Sequence, residues 1–146
     1  MIEQLSNEEA RQLLNNGKIG RLGCIADGYP YVIPVSYVAD QDRIYIHSLP
    51  GKKVFGLRAN PRACLQVDQI IDDCHWRSVI AYGNYEEIKD PNEKQRIMQK
   101  LFGCFPKLTP VESSIAADTQ TSAMIVISIH IEKLTAIGEG GVLNFS

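Results

Sequence analysis

Asp42-Arg-Ile-Tyr-Ile-His-Ser-Leu-Pro-Gly-Lys-Lys-Val-Phe-Gly-Leu-Arg-Ala-Asn-Pro-Arg-Ala63 is the stretch that organises the chain. It reads as a strand over 43–48, a turn through Gly51, a short helix over 51–59, and a stop at Asn60-Pro61, where proline forbids continuation. Lys52 and Lys53 stand where the helix begins. That end already carries partial positive charge, so lysine is normally placed at the other end. Two ammonium groups beside the exposed N–H groups of a helix start suit an anion such as phosphate. The plainer alternative is a solvated turn.

Outward from this stretch the pattern is mostly β. Ser6-Asn7-Glu8-Glu9 is a capping box that opens a helix with Ala10, Leu13 and Leu14 at helical spacing and Gly17 at its end. This helix reads as a lid on a core. Strands follow over 19–26 and 29–39, joined by Asp27-Gly28, a strong hairpin signal. Pro30 and Pro34 lie inside the second of these. A proline cannot donate to a ladder, so Pro34 marks an edge, a bulge or a place where a ligand uses the backbone. Further strands are predicted over 62–71, 76–88 and 122–136. The last alternates Met124, Val126, Ser128, His130 and Glu132 against Ile125, Ile127, Ile129 and Ile131. A helix opens at Asp90-Pro91 and runs to about residue 102, and residues 109–115 have the pattern of one more short helix. Residues 138–146 read as a loosely held tail.

Six strands at hairpin spacings with few helices predict a mainly β (α+β) domain over 1–146, a six-stranded antiparallel barrel with flanking helices, with a sandwich as the competitor. The length of 146 residues, with 45% hydrophobic and 22% charged residues, fits one folded domain. A net charge of -2 carries no basic excess for general nucleic-acid binding. No apolar run is long enough for a bilayer and the acidic N-terminus lacks a signal pattern, so the expected location is cytoplasmic. Cys24, Cys64, Cys74 and Cys104 show no CxxC spacing, so no metal site is expected and the thiols read as reduced. No GxSxG elbow and no Walker or dinucleotide glycine motif occurs.

In order, Gly20-Arg-Leu-Gly23, Tyr29-Pro-Tyr-Val-Ile-Pro-Val-Ser-Tyr37, Ile44-Tyr-Ile-His-Ser48, Gly51-Lys-Lys53, Ala59-Asn-Pro-Arg-Ala63 and Trp76-Arg-Ser-Val-Ile-Ala-Tyr-Gly83 resemble the pyridoxamine 5′-phosphate oxidase-related flavin-binding split barrels, closest to the small branch of nitroimidazole-resistance proteins. The resemblance implies an FMN-binding homodimer with the flavin in a groove between two barrels. It implies that Val32, Ile33, Pro34, Val35, Ser36 and Tyr37 run beside the isoalloxazine ring. It implies that His47, Ser48, Lys52 and Lys53 lie at the phosphate and that Ser78 approaches the cofactor. Two departures accompany it. The oxidase proper uses a C-terminal basic segment, and this chain has no arginine after Arg96, so oxidation of pyridoxamine phosphate is not expected. An arginine of the family is replaced by Lys52, which keeps the charge without the bidentate fork.

A flavin brings its own redox chemistry, so no acid–base dyad is required of the sequence. The expectation is an FMN-dependent reductase of a small aromatic or nitro compound. The alternatives are a non-catalytic flavin-binding or sensor protein, and a split barrel using deazaflavin or haem. His47 reads as a phosphate ligand, a proton donor or a half-buried strand residue; Trp76 reads as stacking near the flavin or, more plainly, as capping the dimer core.

Overall fold

The structure, a computed structural model, describes residues 1–104 and 124–141. In chain order the elements are β1 (Glu3–Gln4), α1 (Asn7–Asn16), β2 (Ile19–Ala26), β3 (Tyr29–Ser36), β4 (Val38–Asp40), β5 (Arg43–Ser48), α2 (Lys52–Ala59), β6 (Arg62–Asp72), β7 (His75–Ile88), α3 (Pro91–Cys104) and β8 (Ile125–Glu139). The strands form one antiparallel sheet in the order β3-β2-β6-β7-β8-β5-β4, with β1 added to β8. Its two end strands, β3 and β4, are consecutive in the chain and meet at Tyr37 without pairing. The sheet therefore curls toward a barrel and stays split.

The predicted split barrel is present, with eight strands among the described residues where six were expected. One addition is the two-residue β1. The other arises because the predicted strand over 29–39 breaks at Tyr37. That side chain is almost wholly buried, and its hydroxyl donates to the Leu14 carbonyl at 2.5 Å. Leu14 lies in the last turn of α1, where carbonyls lack intrahelical partners. One bond thus caps α1 and turns the chain from β3 into β4. At the other end of α1, Ser6 Oγ accepts from the Glu9 N–H at 3.1 Å and donates to the Glu9 carboxylate. This differs from the expected box, in which Glu9 would reach the Ser6 amide.

The main core fills the barrel with Leu22, Tyr37, Ile44, Ile46, Leu57, Leu65, Val79, Ile127 and Ile129 among others. A second core lies outside it, under α3, and contains Tyr45, Ile88, Ile97, Met98, Leu101, Met124 and Val126. This second core corrects the expected alternation of the last strand. From Ile125 to Ile129 every side chain of β8 is buried, because the barrel covers one face and α3 covers much of the other. Ser128, on the α3 side, is fully buried and accepts from Arg43 Nη1 at 3.1 Å.

Trp76 is half-buried at the start of β7, where its Nε1 donates to Glu139 at 3.1 Å. Gly138 and Glu139, expected in the tail, end β8. The predicted short helix over 109–115 falls outside the described residues.

Asp27 (φ 53°) and Gly28 (φ 79°) both take positive φ, the signature of the two-residue turn that matches strand twist. α2 lies against this hairpin. A Cβ on Gly56 would stand 2.6 Å from the Ile25 carbonyl, so glycine is what lets helix and strand touch. At its C-terminal end α2 is tied to β7: Arg58 donates twice to Glu87, at 2.8 and 3.1 Å, and the Tyr85 hydroxyl donates to the same carboxylate at 2.5 Å.

Candidate functional site

α2 begins without a side-chain cap, because its N-cap is Gly51. The first intrahelical bond runs from the Phe55 N–H to the Gly51 carbonyl at 3.0 Å. The amides of Lys52, Lys53 and Val54 precede it and have no helical acceptor. No acidic residue occupies the first turn. Beside this helix start lies a cavity of about 320 Å³ lined by His47, Ser48, Leu49, Pro50, Gly51, Lys53 and Met124. Three of the residues named from sequence, His47, Ser48 and Lys53, converge here.

Lys53 is half-buried, and burial pulls its pKa below the ordinary lysine value. Among the described residues no carboxylate pairs with it. A desolvated ammonium without an anion is an unfavourable arrangement that a bound anion relieves. The His47 ring sits 5.4 Å from that of Phe102, tilted by 56°. Ser48 is buried and its hydroxyl donates to the Leu49 carbonyl at 2.7 Å; it would have to turn to donate to a ligand.

Lys52 is not in this cavity. Its ammonium lies over the Tyr31 ring, 5.1 Å from the centroid. It lines a separate cavity of about 540 Å³ between α2 and the β2–β3 hairpin, with Ile25, Ala26, Asp27, Gly28, Phe55, Gly56, Ala59 and Asn60.

The segment from Val32 to Tyr37 lies on the end strand of the sheet. The Tyr37 N–H donates to the Lys18 carbonyl at 3.1 Å, continuing the register in which Ser36 faces Ile19. Backbone groups along an antiparallel strand alternate between facing the partner and facing away. Tyr31, Ile33 and Val35 therefore face β2, as Tyr37 does. Pro30, Val32, Pro34 and Ser36 turn their backbone outward. Both prolines thus occupy positions where no ladder donor is lost. The outer edge presents the N–H groups of Val32 and Ser36 and the carbonyls of all four. The Tyr37 side chain serves the core, and Val35 is buried beneath the strand.

Ser78 stands apart from the α2 cavity. It lies on the sheet's outer face and accepts from Gln66 Nε2 at 2.9 Å; the same nitrogen reaches Asp68 at 3.0 Å, which in turn accepts from Arg21 at 3.1 Å. Within one chain the fold therefore brings together His47, Ser48 and Lys53, sets Lys52 next to them on the other side of α2, and leaves Ser78 on another surface. Sequence reading did not include Met124, Leu49, Phe102 or Tyr31 in the site. The first three belong to the second core or pack against it, and their apolar spacing signals packing alone.

The sequence profile described as pyridoxamine 5′-phosphate oxidase matches residues 6–137. An uncharacterized protein of Rhizobium meliloti (strain 1021) is 33% identical over 87 residues, 60% of this chain. The match spans 58% of that relative's length. Among solved structures, an FAD-binding protein of Mesorhizobium loti superposes with a TM-score of 0.77 at 28% identity, covering 96% of this chain and 99% of the other. A candidate 5-nitroimidazole antibiotic resistance protein of Bacteroides thetaiotaomicron superposes with a TM-score of 0.74 at 18% identity, covering 94% and 89%. At that identity the likeness concerns the fold.

Proposed function

The chain belongs to the pyridoxamine 5′-phosphate oxidase family, and from that premise we propose that it is a flavin-dependent oxidoreductase holding the FMN moiety of its cofactor between two copies of itself. The observation that carries this reading is Lys53: a half-buried ammonium with no carboxylate partner among the described residues, at the uncapped start of α2, facing a cavity with His47 and Ser48. That donor set fits a phosphate. The outward N–H and carbonyl groups of β3 supply donors and acceptors together, as the polar edge of an isoalloxazine requires. The Mesorhizobium loti neighbour described as FAD-binding supports a flavin in this fold.

Bound flavin would supply two-electron redox chemistry, taking electrons from a reduced donor and passing them to an acceptor. The chain's own residues bind and orient it. Lys53 and the first-turn amides of α2 neutralise the phosphate. Val32 and Ser36 offer N–H groups to ring oxygens or nitrogens, and the carbonyls of Pro30, Val32, Pro34 and Ser36 accept from ring N–H. The acceptor we assign is a small aromatic or nitro compound.

The second copy is supported by the outer face of the sheet. Ile19, Ile25, Val32, Tyr82 and Ile137 are all exposed large apolar residues, and strand alternation puts them on the face opposite the barrel core. Val32, Gly23, Cys64 and Tyr82 form one row across β3, β2, β6 and β7. An exposed apolar row of this kind, beside the polar cluster of Arg21, Gln66, Asp68 and Ser78 on the same face, fits an association surface with an apolar centre and polar surroundings.

The purified protein should be yellow, and the flavin it releases should be identified by chromatography. After anaerobic reduction, stopped-flow mixing with nitroaromatic acceptors should reoxidise it faster than free FMN. A colourless preparation that ignores added flavin would remove the whole reading. Reoxidation no faster than free FMN with every acceptor would leave a flavin-binding protein without this activity.

A further inference from the structure

The outer face of the sheet is hollowed in the middle of the row formed by Val32, Gly23, Cys64 and Tyr82. The hollow is a dish of about 350 Å³. Gly23 is its floor, where a Cβ would stand 2.8 Å from Cys64 Sγ. Val32 and Tyr82, both exposed, rise at its two ends. Arg62 stands two residues before Cys64 on β6, hence on the same face, and is the one charged side chain that lines the dish. Its two side-chain hydrogen bonds, at 3.4 Å to Asn84 and 3.3 Å to Glu132, both leave from Nη1. The N–H groups of Nε and Nη2 are therefore left over, and that edge of a guanidinium is a fork that meets a carboxylate with two parallel bonds. A second cation adds to the positive charge on the Tyr82 side, since the Lys133 ammonium lies 5.9 Å from the centroid of that ring.

We propose that the dish seats the aromatic acceptor and selects one that carries a carboxylate, with its ring over Gly23 between Val32 and Tyr82 and its carboxylate on the Arg62 fork. The inference rests on the flavin reading above and names the class of acceptor. A floor without a side chain suits a flat ring, and the apolar walls bury its two faces and edges. The carboxylate supplies the two acceptor oxygens that the fork matches. Val32 ties the seat to the cofactor: its side chain walls the dish, while its N–H belongs to the outer edge of β3. A ring over Gly23 lies one strand spacing, about 4.8 Å, from β3. A second copy packed on this face would touch the raised ends of the row and roof the hollow between them.

The test uses the full-length protein and has two readouts. Calorimetry measures the binding of benzoate, which cannot be reduced in place of a nitro group, against benzamide and cyclohexanecarboxylate. Reoxidation of the reduced, flavin-loaded protein measures half-saturation by 4-nitrobenzoate against 4-nitrobenzamide. In both, the carboxylate should be preferred over the amide by about tenfold, the gain expected for one charge-assisted pair, and benzoate should bind more tightly than the non-planar cyclohexanecarboxylate. Arg62→Gln should abolish the preference for the carboxylate, and Arg62→Lys, which keeps the charge and loses the fork, should restore only part of it. Glu132→Gln removes the negative charge that competes for Arg62 and should enlarge the preference severalfold, a gain that a damaged fold does not produce. A flavin-loaded wild type that treats carboxylate and amide alike would overturn the seat and leave the flavin reading standing. A preference unmoved by Arg62→Gln would overturn it too. A wild type that binds no flavin would bring down the reading beneath, and benzoate calorimetry on that same protein would then decide the dish separately: no binding ends it.

Discussion

Lys53 and Lys52, adjacent in the chain, face different cavities: Lys53 borders His47 and Ser48, and Lys52 rests 5.1 Å above the Tyr31 ring. The two lysines therefore carry separable roles. Lys53→Ala should weaken FMN by about tenfold or more, the loss of one charge-assisted hydrogen bond of about 1.5–3 kcal/mol. Riboflavin, which has no phosphate, should bind the variant as it binds the wild type. The pH dependence has a defined sign. Burial lowers the Lys53 pKa, so its charge in the free protein is lost at lower pH than for an exposed lysine. The preference for FMN over riboflavin should accordingly shrink as pH rises through that lowered value. Titrations of both ligands across the alkaline range check this, and a preference that is flat with pH would place Lys53 away from the phosphate.

Gly56→Ala sets two effects of opposite sign against each other. In an exposed helix interior the change would stabilise by up to about 1 kcal/mol through helix propensity. Here the new methyl would stand 2.6 Å from a backbone carbonyl of β2, and within 3.2 Å of Ala26. Backbone cannot swing aside as a flexible side chain can, so overpacking wins, at about 1–3 kcal/mol. Urea unfolding should show a lower midpoint. FMN affinity should fall as well, since α2 can only relieve the clash by moving the helix start that carries Lys53.

Much of this architecture was legible in the sequence, because its signals are local. The Asp27-Gly28 turn, the Asn60-Pro61 stop and the Ser6–Glu9 cap each dictate a backbone conformation within a few residues. An edge is one of three readings of Pro34, and the strand does lie at the end of the sheet; the register explains why both Pro30 and Pro34 are tolerated there. What the sequence did not show depends on contacts distant in the chain. The break at Tyr37 exists because a hydroxyl meets a carbonyl of α1, 23 residues earlier. The two-sided burial of β8 exists because α3 packs on its even-numbered side chains, which period-two alternation alone assigns to solvent. The divergence of Lys52 and Lys53 follows from their being consecutive residues of α2, which do not share a helix face; which cavity each one meets depends on how α2 sits on β2, and the Gly-Lys-Lys motif does not encode that.

Glu87 gives a prediction in pH. Its carboxyl is held below the ordinary glutamate value of 4.5, first by the hydrogen bond from Arg58; burial opposes this, and the Tyr85 hydrogen bond and the charges of Arg58 and Lys89 add smaller lowering effects. A carboxylate with a depressed folded-state pKa stabilises fully above its unfolded value, and the contribution disappears as pH falls through the folded one. The wild type should therefore lose stability progressively below about pH 4.5. Glu87→Gln should melt at lower temperature than the wild type at neutral pH and converge toward it in acid. Melting curves recorded from about pH 3 to about pH 7 make the comparison. A constant gap between the two proteins over that range would show that the charge of Glu87 contributes nothing to tethering α2.

The last prediction concerns the second copy. Val32 is 67% exposed and sits in the row with Gly23, Cys64 and Tyr82, where the adjoining surface forms a dish of about 350 Å³ that also includes Ile25, Pro30, Tyr31 and Arg62. Val32→Asp places a carboxylate on this apolar surface. In a lone chain that side chain points to solvent, so the substitution should cost the fold little, within about 0.5 kcal/mol. In a dimer built on this face it would bury a charge without a partner, which is strongly unfavourable. Light scattering after size exclusion should give twice the chain mass for the wild type and the chain mass for the variant, with near-identical circular dichroism. Flavin should be lost in parallel, because a groove between two barrels no longer exists once they separate. A wild type that is monomeric yet binds flavin tightly would show that one β3 edge and one α2 start suffice, and the dimer would drop out of the mechanism.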